Sequence, residues 1–112
     1  MALASPRLIV DALLRAHDLP ADAFGAARSL QLPGFSVAVG EMAEAVRRAG
    51  GDSAYSRIHW QPDPVVQQIV SGWPQALDGR RATALGFSAD GGIDEVVRAF
   101  IEDDLEMQLT LV

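Results

Sequence analysis

The spacing of helix breakers constrains this chain more than any other feature. Six prolines and ten glycines cut it into short amphipathic runs, and the breakers stand where a helix can begin or end. Ser5-Pro6 offers an N-cap hydroxyl followed by proline at the first helical position. Behind it Leu8, Ile9, Ala12, Leu13 and Ala16 form one apolar stripe at helical spacing, which Pro20 ends. A second helix carries Met42, Ala45, Val46 and Ala49 on one face and leaves through Gly50-Gly51. A third has Asp63 as cap, Pro64 as first residue, Val66, Ile69 and Val70 facing inward, and Gly72 at its close. Asp78 is placed to cap a two-turn helix ending at Gly86, with Leu77 stapling onto Ala82. The last and clearest stripe is Ile93, Val96, Val97, Phe100, Ile101 and Leu105.

Between these runs the pattern changes to alternation. "RSLQL" alternates Leu30 and Leu32 before Pro33-Gly34, "FSVAV" alternates Phe35, Val37 and Val39, and "RIHW" sets Ile58 and Trp60 opposite His59. The tail "EMQLTLV" also alternates, at Leu105, Met107, Leu109 and Leu111. The expected fold class is therefore α+β, a small helix-rich lobe with two or three short strands, residues 1–112 forming a single domain. So few strands cannot cover five apolar helix faces, and a further layer is expected to pack against them: a second copy of the chain, or a separate chain.

Composition removes several function classes. The net charge is −6, which argues against a protein that tracks nucleic-acid phosphates. All nine basic residues are arginine and none is lysine, so Schiff-base chemistry and the P-loop lysine are excluded within this chain. Absent cysteines exclude disulfides, thiolate catalysis and cysteine-bound zinc. The apolar start "MALASPRLIVDALL" lacks a basic leader and is interrupted by Asp11, so it reads as a helix and not a signal peptide. No run approaches bilayer length. The expectation is a cytoplasmic protein with no membrane partner.

No reactive constellation stands out. His17 and His59 are the only histidines, neither has a carboxylate pair at ligand spacing, and His17 suits a helix C-terminus. Glu102, Asp103, Asp104 and Glu106 point in different directions on a helix and lack EF-hand spacing, so a solvated face is the expected reading and no metal site is assigned. Arg47-Arg48 and Arg80-Arg81 suit surface pairing or an anion. Asp63 reads first as a cap. Trp73 and Phe100 read as core anchors. No serine, histidine and acid combine as a triad, so no catalytic residue is assigned.

Four segments, "SPRLIVDALLRAHDLPADAFG", "LPGFSVAVGEMAEAVRRAGG", "IHWQPDPVVQQIVSGWP" and "LDGRRATALGFSADGGIDEVVRAFIEDDL", follow one another as in a known family. From about Ser5 to Leu105 the chain resembles the C-terminal part of extended short-chain dehydrogenases, in the NAD-dependent epimerase/dehydratase family, and within it the D-erythronate dehydrogenase group. The resemblance implies a small substrate-binding lobe that in such enzymes sits beside a Rossmann domain. Its parent chemistry is NAD- or NADP-dependent oxidation of a hydroxyl on a sugar acid or nucleotide sugar.

The family's cofactor and catalytic signatures are missing here. No glycine-rich G-x-x-G-x-x-G turn is present to seat a pyrophosphate. The lone tyrosine, Tyr55, has no lysine four residues on; His59 stands there. No cofactor-binding residue is therefore assigned, and no oxidoreductase activity is expected from this chain alone. A partner Rossmann-domain chain or a homodimer is expected, the alternative being a non-catalytic dimeric interaction module derived from the lobe. Relatives favour threonine where Ala38 stands, so half of a capping box with Glu41 is lost. They also favour arginine and glutamate where His59 and Gln61 stand, which removes charge from the expected cleft. Substrate contacts are expected at Asp63, His59 and Arg57, and in the loop Ser36 to Val39.

Overall fold

A computed structural model describes residues 1–105. Its elements run β1 (Ala2–Leu3), α1 (Pro6–Asp18), β2 (Phe35–Ser36), α2 (Val39–Tyr55), α3 (Pro64–Ser71), α4 (Arg80–Ala84) and α5 (Ile93–Phe100). A single 3-10 turn, Ala21–Phe24, follows α1, and α5 continues into a wider π-type turn over Ile101–Leu105. The class is α+β and helix-rich, as expected. The alternating tail beyond Leu105 lies outside the described residues.

α1 begins as its sequence dictates: Ser5 Oγ accepts from Leu8 N at 3.1 Å, with proline at the first helical position. Ser5 is itself held from far along the chain. The Asp90 carboxylate accepts from Ser5 N at 2.7 Å and from Ser5 Oγ at 2.6 Å. Ser5 is the one buried polar residue of the described chain, 1% exposed, and its hydrogen-bonding groups are met.

The strands differ from expectation. Phe35 and Ser36 pair with the chain start, Leu3 and Ala2 respectively, in an antiparallel two-stranded sheet. The Met1 ammonium extends the pairing by donating to Val37 O at 3.1 Å, while Val37 N returns a bond to Met1 O at 2.9 Å. Neither "RSLQL" nor "RIHW" forms a strand. An alternating run becomes a strand only when a neighbour takes its backbone groups, and here other partners do. Arg81 donates to Ser29 O at 3.0 Å and also to the carbonyls of Phe24 and Ala27. Arg57 N and Ile58 N bond back to Ala54 O and Tyr55 O, so the chain turns where a strand would begin.

The segment from Trp73 to Phe87 is a fastener. Asp78 does not serve as N-cap of α4; Gly79 takes that position. The Asp78 carboxylate instead grips Arg80 through two guanidinium contacts, at 2.9 and 2.7 Å, and accepts from Arg80 N at 3.2 Å. These bonds, the guanidinium first, hold the Asp78 carboxyl below its usual range. A Cβ at Gly79 would lie 2.5 Å from Pro33 Cα, so only glycine lets α4 start against that loop. Gly86 takes φ 87°, and beside it Arg15 from α1 donates twice to Leu85 O, at 3.0 and 2.6 Å.

α2 and α5 pack side by side. Their buried positions are Ala43, Ala45 and Ala99, small side chains that let two helices approach closely. The pair is tied at its edge by Arg48 to Asp94 at 2.9 Å. α2 is broken at Gly51, whose φ of 75° ends the first helical run where the Gly50-Gly51 pair places it. A last turn, residues 52–55, is drawn back by Arg47, which stacks 3.7 Å from the Tyr55 ring centroid.

The core is thin and lies to one side. Its buried apolar members are Val37, Phe87 and the alanines at 43, 45, 82 and 99. The molecule measures 50 × 40 × 21 Å with a radius of gyration of 16.9 Å, against about 13 Å for a compact domain of this length. Its accessible surface is 8173 Å², where a folded monomer of this mass would show about 5,900 Å². Trp73 and Phe100, expected as core anchors, are 51% and 54% exposed, and Val66 and Ile69 of α3 are exposed as well. The reason is geometric: their stripes face away from the packed layer, and no opposite layer among the described residues receives them.

A direct contrast follows between aromatics. Phe87 is 5% exposed, so Phe87→Ala should cost ~3–5 kcal/mol in urea unfolding. Trp73→Ala and Phe100→Ala should each stay within about 1 kcal/mol of the parent. Equal losses at all three positions would contradict the one-sided core.

Candidate functional site

An open cleft of about 550 Å³ lies beside α2. One wall is the first half of α2, with Val39, Met42, Ala43 and Val46; the other is the irregular segment Ile58 to Pro62 and the start of α3, with Asp63, Val66 and Gln67. The cleft exists because "RIHW" is not a strand. Released from a sheet, this segment arches over α2, and Pro62 and Pro64 hold it extended up to the helix.

Three of the sequence-assigned residues, Val39, His59 and Asp63, meet in this cleft. Ser36 does not line it: its Oγ donates to Gln75 O and fastens β2 to the segment after α3. Arg57 sits on the exposed turn before the cleft and is not among its lining residues. Gln61, expected near the cleft beside His59, lines it too, whereas sequence reasoning missed Trp60, Met42 and Gln67. Trp60 was assigned to a strand face, whereas it is 56% exposed at the cleft. The signal available was its position directly before Gln-Pro-Asp-Pro, since a proline pair disfavours a ladder strand.

Asp63 is engaged as a cap. Its Oδ1 accepts from Val65 N at 2.9 Å and Val66 N at 3.3 Å, which satisfies the first orphan donors of α3. Ala38 offers no side-chain acceptor to α2, but the other half of its capping box persists, Ala38 N donating to Glu41 Oε2 at 3.3 Å. His59 and Asp63 are the only ionisable side chains lining the cleft.

Several charged groups outside the cleft tie elements together. Arg7 of α1 reaches Glu102 at 2.9 Å and Asp103 at 2.7 Å, and its guanidinium holds the Asp103 carboxyl below the usual range. Half of the acidic cluster is thus a tie between the two ends of the described chain. His17 lies beside Asp18 at 3.2 Å in full exposure. Among the described residues no group of three or more metal-ligating side chains comes together, and no helix is long and apolar enough to cross a membrane.

No family model matches the sequence. Individual relatives do. A D-erythronate dehydrogenase of Cupriavidus necator is 43% identical over 101 residues, 90% of this chain. The D-erythronate dehydrogenase of Haemophilus influenzae is 33% identical over 103 residues, 92% of this chain. The crystal structure of a nucleoside-diphosphate-sugar epimerase from Agrobacterium tumefaciens superposes on 94% of the chain with a TM-score of 0.87 and 33% identity. This chain is homologous to part of the D-erythronate dehydrogenases. It spans about a third of the length of these curated relatives, 31% and 33%, and 31% of the epimerase chain.

The cap and any ligand role of Asp63 can be separated. Asn caps as well as Asp, so Asp63→Asn should leave urea stability unchanged within about 0.5 kcal/mol, while Asp63→Ala should lose ~0.5–2 kcal/mol. Equal stability of all three proteins would mean that α3 does not depend on this cap.

Proposed function

We propose that this chain is the substrate-binding part of an NAD-dependent oxidoreductase of the epimerase/dehydratase kind, acting on a hydroxyl of a sugar acid or nucleotide sugar. The observation that carries the reading is the conjunction of similarity over 90% of this chain to a D-erythronate dehydrogenase with an open cleft on the lobe, where His59, Trp60 and Asp63 stand together. Arg57, next to the cleft, is placed to meet the part of a ligand that projects from it; Ser36 acts through the backbone it fastens.

Catalysis requires groups that the sequence does not contain: a glycine-rich phosphate turn and a tyrosine followed at four residues by lysine. In this reading NAD or NADP binds elsewhere, on a Rossmann unit that also covers the exposed stripe of α1. Ile9, Val10, Leu13 and Leu14 make that stripe, with Leu13 67% exposed. Without the covering unit the chain is expected to bind neither cofactor and to oxidise no substrate. Titration calorimetry with NAD and with NADP, and an assay for cofactor reduction with D-erythronate, test this. Micromolar affinity for either cofactor, or turnover, would overturn it.

The same uncovered surface supports association in solution. The excess over a closed monomer is about 2,300 Å², above the ~800 Å² per partner of a standard interface. Light scattering after size exclusion should give a mass above the 11.9 kDa of one chain. A monomer mass across micromolar concentrations would show that the layer is stable uncovered.

A further inference from the structure

Resting on the reading of the cleft as a substrate site, the chemistry of its walls narrows what it takes. Among the lining residues none is arginine, although the chain carries nine. Six of them are engaged elsewhere in the described lobe, and Arg57 stands on the exposed turn outside the lining. Arg7, Arg48 and Arg80 are in ion pairs, and Arg15 and Arg81 serve backbone carbonyls. Arg47 stacks on Tyr55 and lies 3.4 Å from Glu44. The cleft offers instead an apolar wall of Val39, Met42 and Val66, an open indole at Trp60, and the amides of Gln61 and Gln67. Its one acid, Asp63, adds negative charge on a chain of net charge −6.

We infer that the cleft receives an uncharged, polyhydroxylated portion of a ligand and discriminates against a carboxylate or phosphate inside it. An anion entering there loses water with no arginine on the walls to pair with and approaches the Asp63 carboxylate, both unfavourable. A neutral polyol meets groups suited to it. Amide side chains give and accept hydroxyl hydrogen bonds, and the indole face and apolar wall receive the C–H surface of a carbon chain or ring. The anionic end of a sugar-acid substrate is then held outside the cleft, by groups not on its walls.

The test compares two probes with one carbon skeleton and different charge, D-erythronate and its uncharged 1,4-lactone, titrated into the isotopically labelled chain and followed by backbone and indole N–H chemical shifts. The lactone should shift Trp60, Gln61 and Val66 and bind at least tenfold more tightly than the anion. His59→Arg, which puts a cation on the cleft wall, should reduce that preference at least threefold, while the spectrum away from the cleft shows the fold unchanged. Binding of the anion as tight as or tighter than that of the lactone at these residues would overturn the charge discrimination and leave the cleft as the site. If neither probe shifts cleft residues, the reading of the cleft as a substrate site fails, and the discrimination with it.

Discussion

Everything in this lobe is organised from the buried serine at its entry. Ser5 lies 85 residues from Asp90 in sequence, yet its N–H and hydroxyl both end on that carboxylate while its oxygen starts α1. Removing such a group leaves a half-buried carboxylate or the first donors of α1 unmet, each costing about 1–3 kcal/mol. Because the core is built mainly from alanines, with little apolar area per residue, polar ties of this kind carry an unusual share of the architecture. The salt bridge from Arg7 to Asp103 ties the start of α1 to the turn after α5 as well.

Arginine takes the part that strands would otherwise take. Its fork of donors collects carbonyls that have no ladder. Arg81 does so for the loop after α1, and Arg15 for the carbonyl of Leu85. That explains how a segment such as "WPQALDGRRATALGF" can be specific in sequence and hold no reactive group. Its glycines permit close approach, its aspartate orients one arginine, and its second arginine fastens a distant loop. With arginines spent this way, the cleft has none on its walls.

Helix positions were legible in the sequence because they depend on local chemistry. Ser5-Pro6, Asp63-Pro64 and Gly50-Gly51 act within one turn of themselves, and the structure places helix boundaries at each. Strands were less legible. "FSVAV" and "RSLQL" alternate alike, but only Phe35-Ser36 meets a partner, and that partner is the chain start, whose apolar residues read as the approach to a helix. At the site, His59 and Asp63 could be nominated from their place in "IHWQPDP", while Trp60 could not, because its assignment depended on a strand that does not form.

The sequence by itself determined where the helices begin and break, the absence of lysine and cysteine chemistry, and the kinship later found with D-erythronate dehydrogenases. These are properties of residue type and short-range spacing. Only the tertiary structure decided which apolar stripes are buried. Val66, Trp73 and Phe100 have the composition of core residues, yet all three are exposed. Hydrophobic periodicity says that a face seeks cover and cannot say whether the cover belongs to the same lobe. That depends on which elements the long-range ties bring together, and here those ties build a single layer.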